Sequence, residues 1–425
     1  MDQTSSSTST DLHIKIEKKN NESSKFLKLF EKTNKEIKYH DENSNDFYAE
    51  TFLPKDLFQD CNIYEEEEKN EKDNFAIFNN KRNNIQIPIQ QQNKNNLEIQ
   101  AKMNFFGTDI QILIKQMKSY RGSMYLQYLL TLLDDYDIEK LLLRLSPNLT
   151  EMMCSHYGNY FIQKLFLRLN YQQRLFIFNL IQNNFVDICI DKSGTYSIQA
   201  LIDSIKTPFE EKIMENLLNK NLLLLFYNEN SHHIIQKIII DYPEYKRDFL
   251  NNFILGNLNK ICTNLYGSLC LIKFIIMNNN LFIRLKLIKG IQCIFFNLVL
   301  NRYGCSIIFF LLEKYGIEYC YFIIEFIKQN FEFLMNQPNS LILIEKVLSY
   351  VYKYVNNEFN DIVWMIIKNE KILQILIEKE PSNRILSFIN KTLSNEQKDM
   401  FRKKLKNLLC KDKSLKEKLL HLIVN

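Results

Sequence analysis

The chain has 425 residues, of which only 9 are glycine and 7 are proline, against about 30 glycines at the roughly 7% usage of soluble proteins. So little turn punctuation excludes sandwiches, barrels and glycine-looped nucleotide folds and predicts an all-α protein, while 46% hydrophobic and 13% aromatic residues supply a large core. The net charge of +5 is uneven: residues 1–100 carry 14 Lys+Arg against 19 Asp+Glu, which leaves 40 against 30 for residues 101–425, a mild surplus that suits a polyanionic partner or ordinary solubility equally.

Residues 1–100 mix Asn, Lys, Glu, Ser and Asp with short apolar islands such as FLKLF (26–30) and the segment 75–78, and include EEEE (65–68) and QQQ (90–92). Such a segment buries too little apolar surface to offset its ordering entropy and is expected to be a disordered, acidic tail. The start, MDQTSSSTST, has no apolar core of a signal peptide, and no run of 18 apolar residues occurs, so neither secretion nor a membrane span is indicated. Nine cysteines (61, 154, 189, 262, 270, 293, 305, 320 and 410) form no CxxC pair. They read as reduced, mostly core thiols of a cytosolic or nuclear chain, with no metal site expected.

From about residue 100 the chain repeats itself. The segments GSMYLQ (122–127), GNYFIQ (158–163), GTYSIQ (194–199), SHHIIQ (231–236), GSLCLI (267–272), GCSIIF (304–309), SLILIE (340–345) and SNRILS (382–387) align, with successive steps of 36, 36, 37, 36, 37, 36 and 42 residues. A period near 36 fits a two- or three-helix unit stacked into a solenoid, so residues 101–425 are expected to form one cooperative array. With the leading Gly or Ser counted as position 11, positions 14, 15, 18 and 19 are apolar: Phe161, Ile162, Leu165 and Phe166; Ile234, Ile235, Ile238 and Ile239; Leu343, Ile344, Val347 and Leu348. This stripe can be buried only between stacked neighbours.

Positions 12, 13 and 16 share another face of the same helix. In the first four units they read Ser123, Met124 and Gln127; Asn159, Tyr160 and Gln163; Thr195, Tyr196 and Gln199; His232, His233 and Gln236. Small polar groups and glutamines beside planar side chains are what is needed to hydrogen-bond base edges and stack base faces, one triplet per base. Lys164, Lys237, Lys273 and Lys346, all at position 17, suit the phosphate side of such a groove as readily as a solvated surface. Trp364 is expected in the core. No phosphate loop, HExxH, GxSxG or supported carboxylate pair occurs, so no enzyme is expected and no cofactor is implied.

These segments and their spacing resemble the helical repeats of the Pumilio (PUF) RNA-binding family, with eight units over residues 101–425 and a longer step before the last. The resemblance implies a crescent-shaped α-solenoid that binds single-stranded RNA antiparallel to the chain, one base per repeat. Carried over by position, Ser123 with Gln127 resembles an adenine reader, Asn159 with Gln163 a uracil reader, and Thr195 with Gln199 an adenine reader, which together imply a 3′ end of the form AUA. His232 with Gln236 faces the loosely read base of the family's UGUA-N-AUA element. The other half departs from the pattern: Ser268 with Ile272, Cys305 with Phe309, Leu341 with Glu345, and Asn383 with Ser387. In the last three repeats only Asn383 and Glu345 keep a familiar edge residue, and Ser268 with Ile272 in repeat five lacks the glutamine an adenine would want. Only Arg384 keeps a planar group at position 13, beside Leu269, Ser306 and Ile342.

The resemblance further implies binding to untranslated regions of messenger RNA in the cytoplasm, and repression or decay through recruited repressor or deadenylation proteins, by a monomer without membrane contact. Two other readings stay open. One is a divergent nucleolar relative that contacts structured or pre-ribosomal RNA without a base code. The other is a helical scaffold for proteins.

Overall fold

The computed structural model describes residues 91–378 and 383–411, all within the unit Ile85–Asn425. Every described element is helical, and no strand occurs among the described residues. The eight aligned segments each fall on one helix: Tyr120–Leu130, Gly158–Phe166, Gly194–Ser204, His232–Asp241, Leu265–Met277, Arg302–Tyr315, Pro338–Tyr354 and Asn383–Thr392. Each of these row helices packs against the next.

The apolar stripe explains that stacking. All twelve side chains named above at positions 14, 15, 18 and 19 are buried, none more than 1% exposed. Fully burying a side chain of this size is worth roughly 1.5–3 kcal/mol, so each row helix depends on the neighbours that cover it.

Between row helices the chain returns through two shorter helices in the early units: Tyr171–Ile181 and Phe185–Ile190, then Pro208–Asn219 and Leu222–Tyr227, then Asp248–Gly256 and Leu258–Cys262. One residue type makes each break. Asn148, Asn184, Asn221 and Asn257 stand between the return helices with φ of −110 to −134° and ψ of 7 to 21°, a sparsely allowed bridge conformation. Asn330 has the same geometry (φ −116°, ψ 17°) inside Ile317–Leu334. In the fifth unit the corresponding residue is Ile294, and there the return is one uninterrupted helix, Leu281–Val299.

A second recurrent residue starts the row helices. The side chains of Ser119, Ser155, Asp191, Asn264 and Asn301 accept from the backbone N–H of Gly122, Gly158, Gly194, Gly267 and Gly304, and Asn228 accepts likewise from Ser231. These capping bonds satisfy donors that a helix start leaves unpaired. The glycines themselves answer a close approach. A Cβ at Gly122, Gly194, Gly267 or Gly304 would lie 2.2, 2.2, 2.6 or 2.5 Å from the carbonyl oxygen of Gln116, Ile188, Ile261 or Leu298, in each case the residue six before. Where Ser231 replaces the glycine, its hydroxyl turns toward the equivalent carbonyl, Leu225 O, and donates to it at 3.0 Å.

Neighbouring units are also tied by polar bonds. The guanidinium of Arg168 donates to Leu130 O and Leu133 O at 2.6 and 2.8 Å, and that of Arg144 to Phe106 O and Thr108 O. Arg174 and Glu210 form a fully buried ion pair across adjacent units. Burial alone would raise the Glu210 pKa, but hydrogen bonds from Arg174, Thr207 and the Lys206 amide hold it below the usual carboxylate value.

Two expectations are revised. Helix Gln91–Gly107 begins inside the segment read as tail, so that boundary moves back to about residue 90; the rest of the tail lies outside the described residues. Trp364 is half-buried, with Lys368 Nζ 5.4 Å from its ring centroid, rather than core. The expectation of mostly core thiols holds among the described cysteines: Cys189, Cys262, Cys270, Cys305 and Cys320 are buried, Cys154 is half-buried and Cys293 exposed.

Candidate nucleic-acid interface

Because each row helix starts in the same way and packs on the next, positions 12, 13 and 16 recur along one face of the row. The glutamines Gln127, Gln163, Gln199 and Gln236 are all half-buried, as are Met124, Tyr160, Tyr196 and His233 beside them. A column of Met124 and then the planar Tyr160, Tyr196 and His233 thus runs alongside an amide column through the first four units.

Position 12 differs from a solvent-facing stripe. Ser123, Asn159, Thr195, His232 and Ser268 are all buried, and their polar atoms are held by backbone. Ser123 Oγ donates to Tyr157 O at 2.8 Å and Thr195 Oγ1 to Asn230 O at 3.1 Å, both in the next unit. Asn159 Nδ2 donates to Ser155 O and His156 O at 2.9 and 2.7 Å, while Asn159 Oδ1 accepts from Gln163 Nε2 at 2.7 Å. The same coupling recurs weakly where Gln127 Nε2 donates to Ser123 Oγ at 3.3 Å. Position 12 therefore orients the glutamine one turn on and seals the joint to the following unit. The glutamine is the more accessible partner of each pair.

His232 is a special case. Its Nδ1 lies 3.3 Å from the carbonyl oxygen of Asn228, which can only accept, so the ring proton sits on Nδ1. Nε2 is then a bare acceptor, buried and without a partner. Burial first, and His233 second, push the His232 pKa down to about 3, so the ring is neutral at any ordinary pH. His233 and Tyr266 flank it, with ring centroids 4.0 and 5.0 Å away.

In the later units the face changes. Ile272 and Phe309 occupy the glutamine position and are buried, as are Cys305 and Leu341 at position 12. Glu345 is half-buried, Ser387 half-buried, Ile342 and Arg384 exposed; the Asn383 side chain lies outside the described side chains. The position-17 lysines do not act as one set. Lys164 is exposed, whereas Lys237 Nζ lies 2.7 Å from Asp203 and 2.8 Å from Asp241. Burial pulls the Lys237 pKa down, but the two aspartates more than offset this and hold it above the usual lysine value. Lys346 is held below that value by burial.

One feature of this face is absent from the sequence reading. Tyr120, at the start of the first row helix, and His156 and Tyr157, just before the second, form a ring cluster, with the Tyr120 and His156 centroids 5.9 and 4.5 Å from that of Tyr157. Tyr120 and His156 stand one turn ahead of Met124 and Tyr160, so the spacing from the repeat glycine could have found them.

The chain matches the family model for the Pumilio-family RNA binding repeat at residues 148–182 and 184–218. A Pumilio domain-containing protein of Schizosaccharomyces pombe is 25% identical over 233 residues, covering 55% of this chain and 34% of that protein. Pumilio homolog 12 of Arabidopsis thaliana is 24% identical over 234 residues, covering 54% and 39%; the chain thus spans little more than a third of these relatives. Among solved structures, the Puf4 RNA binding domain bound to HO endonuclease RNA 3′ UTR recognition sequence superposes with a TM-score of 0.59 at 21% identity, over 72% of this chain and 97% of that one. The RNA-binding domain of yeast Puf5p bound to MFA2 RNA gives 0.54 at 20%, over 73% and 95%. Register, helical architecture and these likenesses agree: residues 148–182 and 184–218 match Pumilio-family RNA binding repeats, and the fold around them is similar to that of the Puf RNA-binding domains.

Proposed function

We propose that the face formed by positions 13 and 16 binds single-stranded RNA, with the first three repeats reading a 3′ end of the form AUA. The observation that carries this is the continuous column of half-buried Gln127, Gln163, Gln199 and Gln236 beside Met124, Tyr160, Tyr196 and His233. Glutamine amides offer both a donor and an acceptor to a base edge, and flat side chains stack any base. Solved relatives of the same fold were captured on RNA, which supports the ligand class. On this reading the RNA is a messenger untranslated region, the outcome is repression or decay through recruited proteins, and the protein acts as a cytoplasmic monomer without chemistry of its own.

The reading is tested by titrating the protein with oligonucleotides ending in AUA and in GCG at one fixed salt concentration, since affinity depends steeply on salt. The AUA ligand is expected to bind at least tenfold tighter, from edge contacts worth about 1–3 kcal/mol each. Equal affinity would favour the nucleolar reading, in which structured RNA is held without a base code; the apolar residues at Ile272 and Phe309 are what keep that reading alive. Asn159→Ser should move preference at the second repeat from U toward A. Because Asn159 Nδ2 also ties two backbone carbonyls, that variant is expected to lose about 1 kcal/mol of stability, so its melting curve should be recorded alongside.

A further inference from the structure

The later repeats keep the row helices but lose what a base would contact. In repeats five and six the position of the reading glutamine is filled by Ile272 and Phe309, each only 6% exposed, and neither offers a donor or an acceptor. The polar hydrogens at position 12 are turned inward. The Ser268 hydroxyl donates to Leu265 O at 2.6 Å and the Cys305 thiol to Val299 O at 3.2 Å. The position-13 residues, Leu269 and Ser306, have no planar face. Phe309, the ring that replaces the glutamine in repeat six, carries the ammonium of Lys346 5.2 Å from its centroid.

We propose that the reading surface is interrupted at repeats five and six, so that RNA bases pass over an apolar, non-stacking floor there and none is selected. This rests on the base-reading function proposed above. The physical reason is the cost of unmade hydrogen bonds: a base edge pressed onto Ile272 or Phe309 would give up water without replacement. Each base facing these repeats therefore keeps its edge in solvent. All four bases present a solvated edge equally well, so discrimination vanishes. Without a planar partner at position 13, the stacking that this position gives a base irrespective of identity is lost too.

The interruption predicts a pattern along the RNA that neither uniform reading nor a wholly silent groove produces. The full chain is titrated with 5′-UGUACAUA-3′ and with variants carrying each alternative base, or an abasic linker, at one position. In the antiparallel register the third and fourth nucleotides face repeats six and five, and the seventh faces repeat two. At the third and fourth nucleotides every substitution, the abasic linker included, is expected to change Kd less than about threefold. An abasic linker at the seventh, opposite Tyr160 and Gln163, is expected to weaken binding at least tenfold.

Sensitivity at the third and fourth nucleotides equal to that at the seventh would overturn the interruption while leaving base reading intact. Insensitivity at all three would overturn both, since there would be no reading surface to interrupt. A gain-of-function variant adds an independent readout. Ile272→Gln restores beside Ser268 the pair that Ser123 and Gln127 make in repeat one, and should create a preference of at least fivefold for adenine at the fourth nucleotide. A folded Ile272→Gln protein, checked by its melting curve, that still accepts all four bases equally would show that the missing amide is not what silences repeat five.

Discussion

At Gly194 a single hydrogen decides whether a repeat can close. An alanine methyl there would sit 2.2 Å from Ile188 O and 3.1 Å from Cys154 Sγ, so backbone must move to admit it. Gly194→Ala is expected to destabilise the protein by about 1–3 kcal/mol, the usual cost of overpacking. Gly256→Ala, where nothing lies within 4 Å, should be within about 0.5 kcal/mol of wild type in the same urea titration. Titration of a single ring gives a second test at this scale. The His232 pKa is lowered in the folded chain to about 3, against about 6.5 unfolded, so the unfolded chain takes up the proton first as pH falls. The neutral ring's contribution is complete above about pH 6.5 and is lost progressively below it. Between pH 7 and pH 5 wild type should lose about 2 kcal/mol more than His232→Asn; parallel curves for the two proteins would contradict the assignment. His233, Tyr266 and the backbone of Asn228 and Glu229 face this ring; His233, the other imidazole, is present in both proteins of the comparison, so the difference between them reports on His232.

On the level of the helix, three recurrent residues frame the early units: a bridge-conformation Asn, a capping Ser, Asp or Asn, and a Gly or Ser at the row-helix start. Their effect is to aim each row helix so that its apolar stripe meets the next. The return helices lock this arrangement through Arg174 and Glu210, where neither charge reaches solvent. Removing one partner leaves the other charged and buried, so Arg174→Met is expected to cost about 3–5 kcal/mol. Replacing both, Arg174→Met with Glu210→Leu, should recover part of that loss, although Glu210 also caps its helix by accepting from the Lys206 and Thr207 amides. A double-mutant cycle by urea unfolding measures the coupling; a strictly additive result would mean the pair is held apart in solution.

Across the whole array, the packing contacts, carbonyl-directed arginines and ion pairs described above join neighbouring units. Stability should then follow nearest-neighbour terms rather than one global core. Ile385, buried in the last row helix, has a neighbour on its N-terminal side in Pro338–Tyr354. Ile385→Ala is expected to raise amide hydrogen exchange across residues 370–408 while leaving 158–204 protected as in wild type. Uniform loss of protection would show instead that the array unfolds as one cooperative block.

Much of this was legible in the chain itself. The 36-residue period, the apolar positions 14, 15, 18 and 19 and the glycine column follow from side-chain size and polarity alone, and those are properties a sequence carries directly. The breaks at Asn148, Asn184, Asn221, Asn257 and Asn330 were not legible in the same way, because other asparagines such as Asn179 and Asn216 stand inside unbroken return helices. What the sequence by itself determined was thus the helical class, the repeat register and which residue types face together. Only the tertiary structure decided how those polar residues are used. Ser123 and Thr195 are polar in sequence, yet their hydroxyls are consumed by carbonyls of the next unit; Lys237 is basic, yet two aspartates hold it. Hydrogen bonds and ion pairs form between groups about 35 residues apart, and whether a donor faces a ligand or a neighbour is settled by the partner across the joint, which no local pattern specifies.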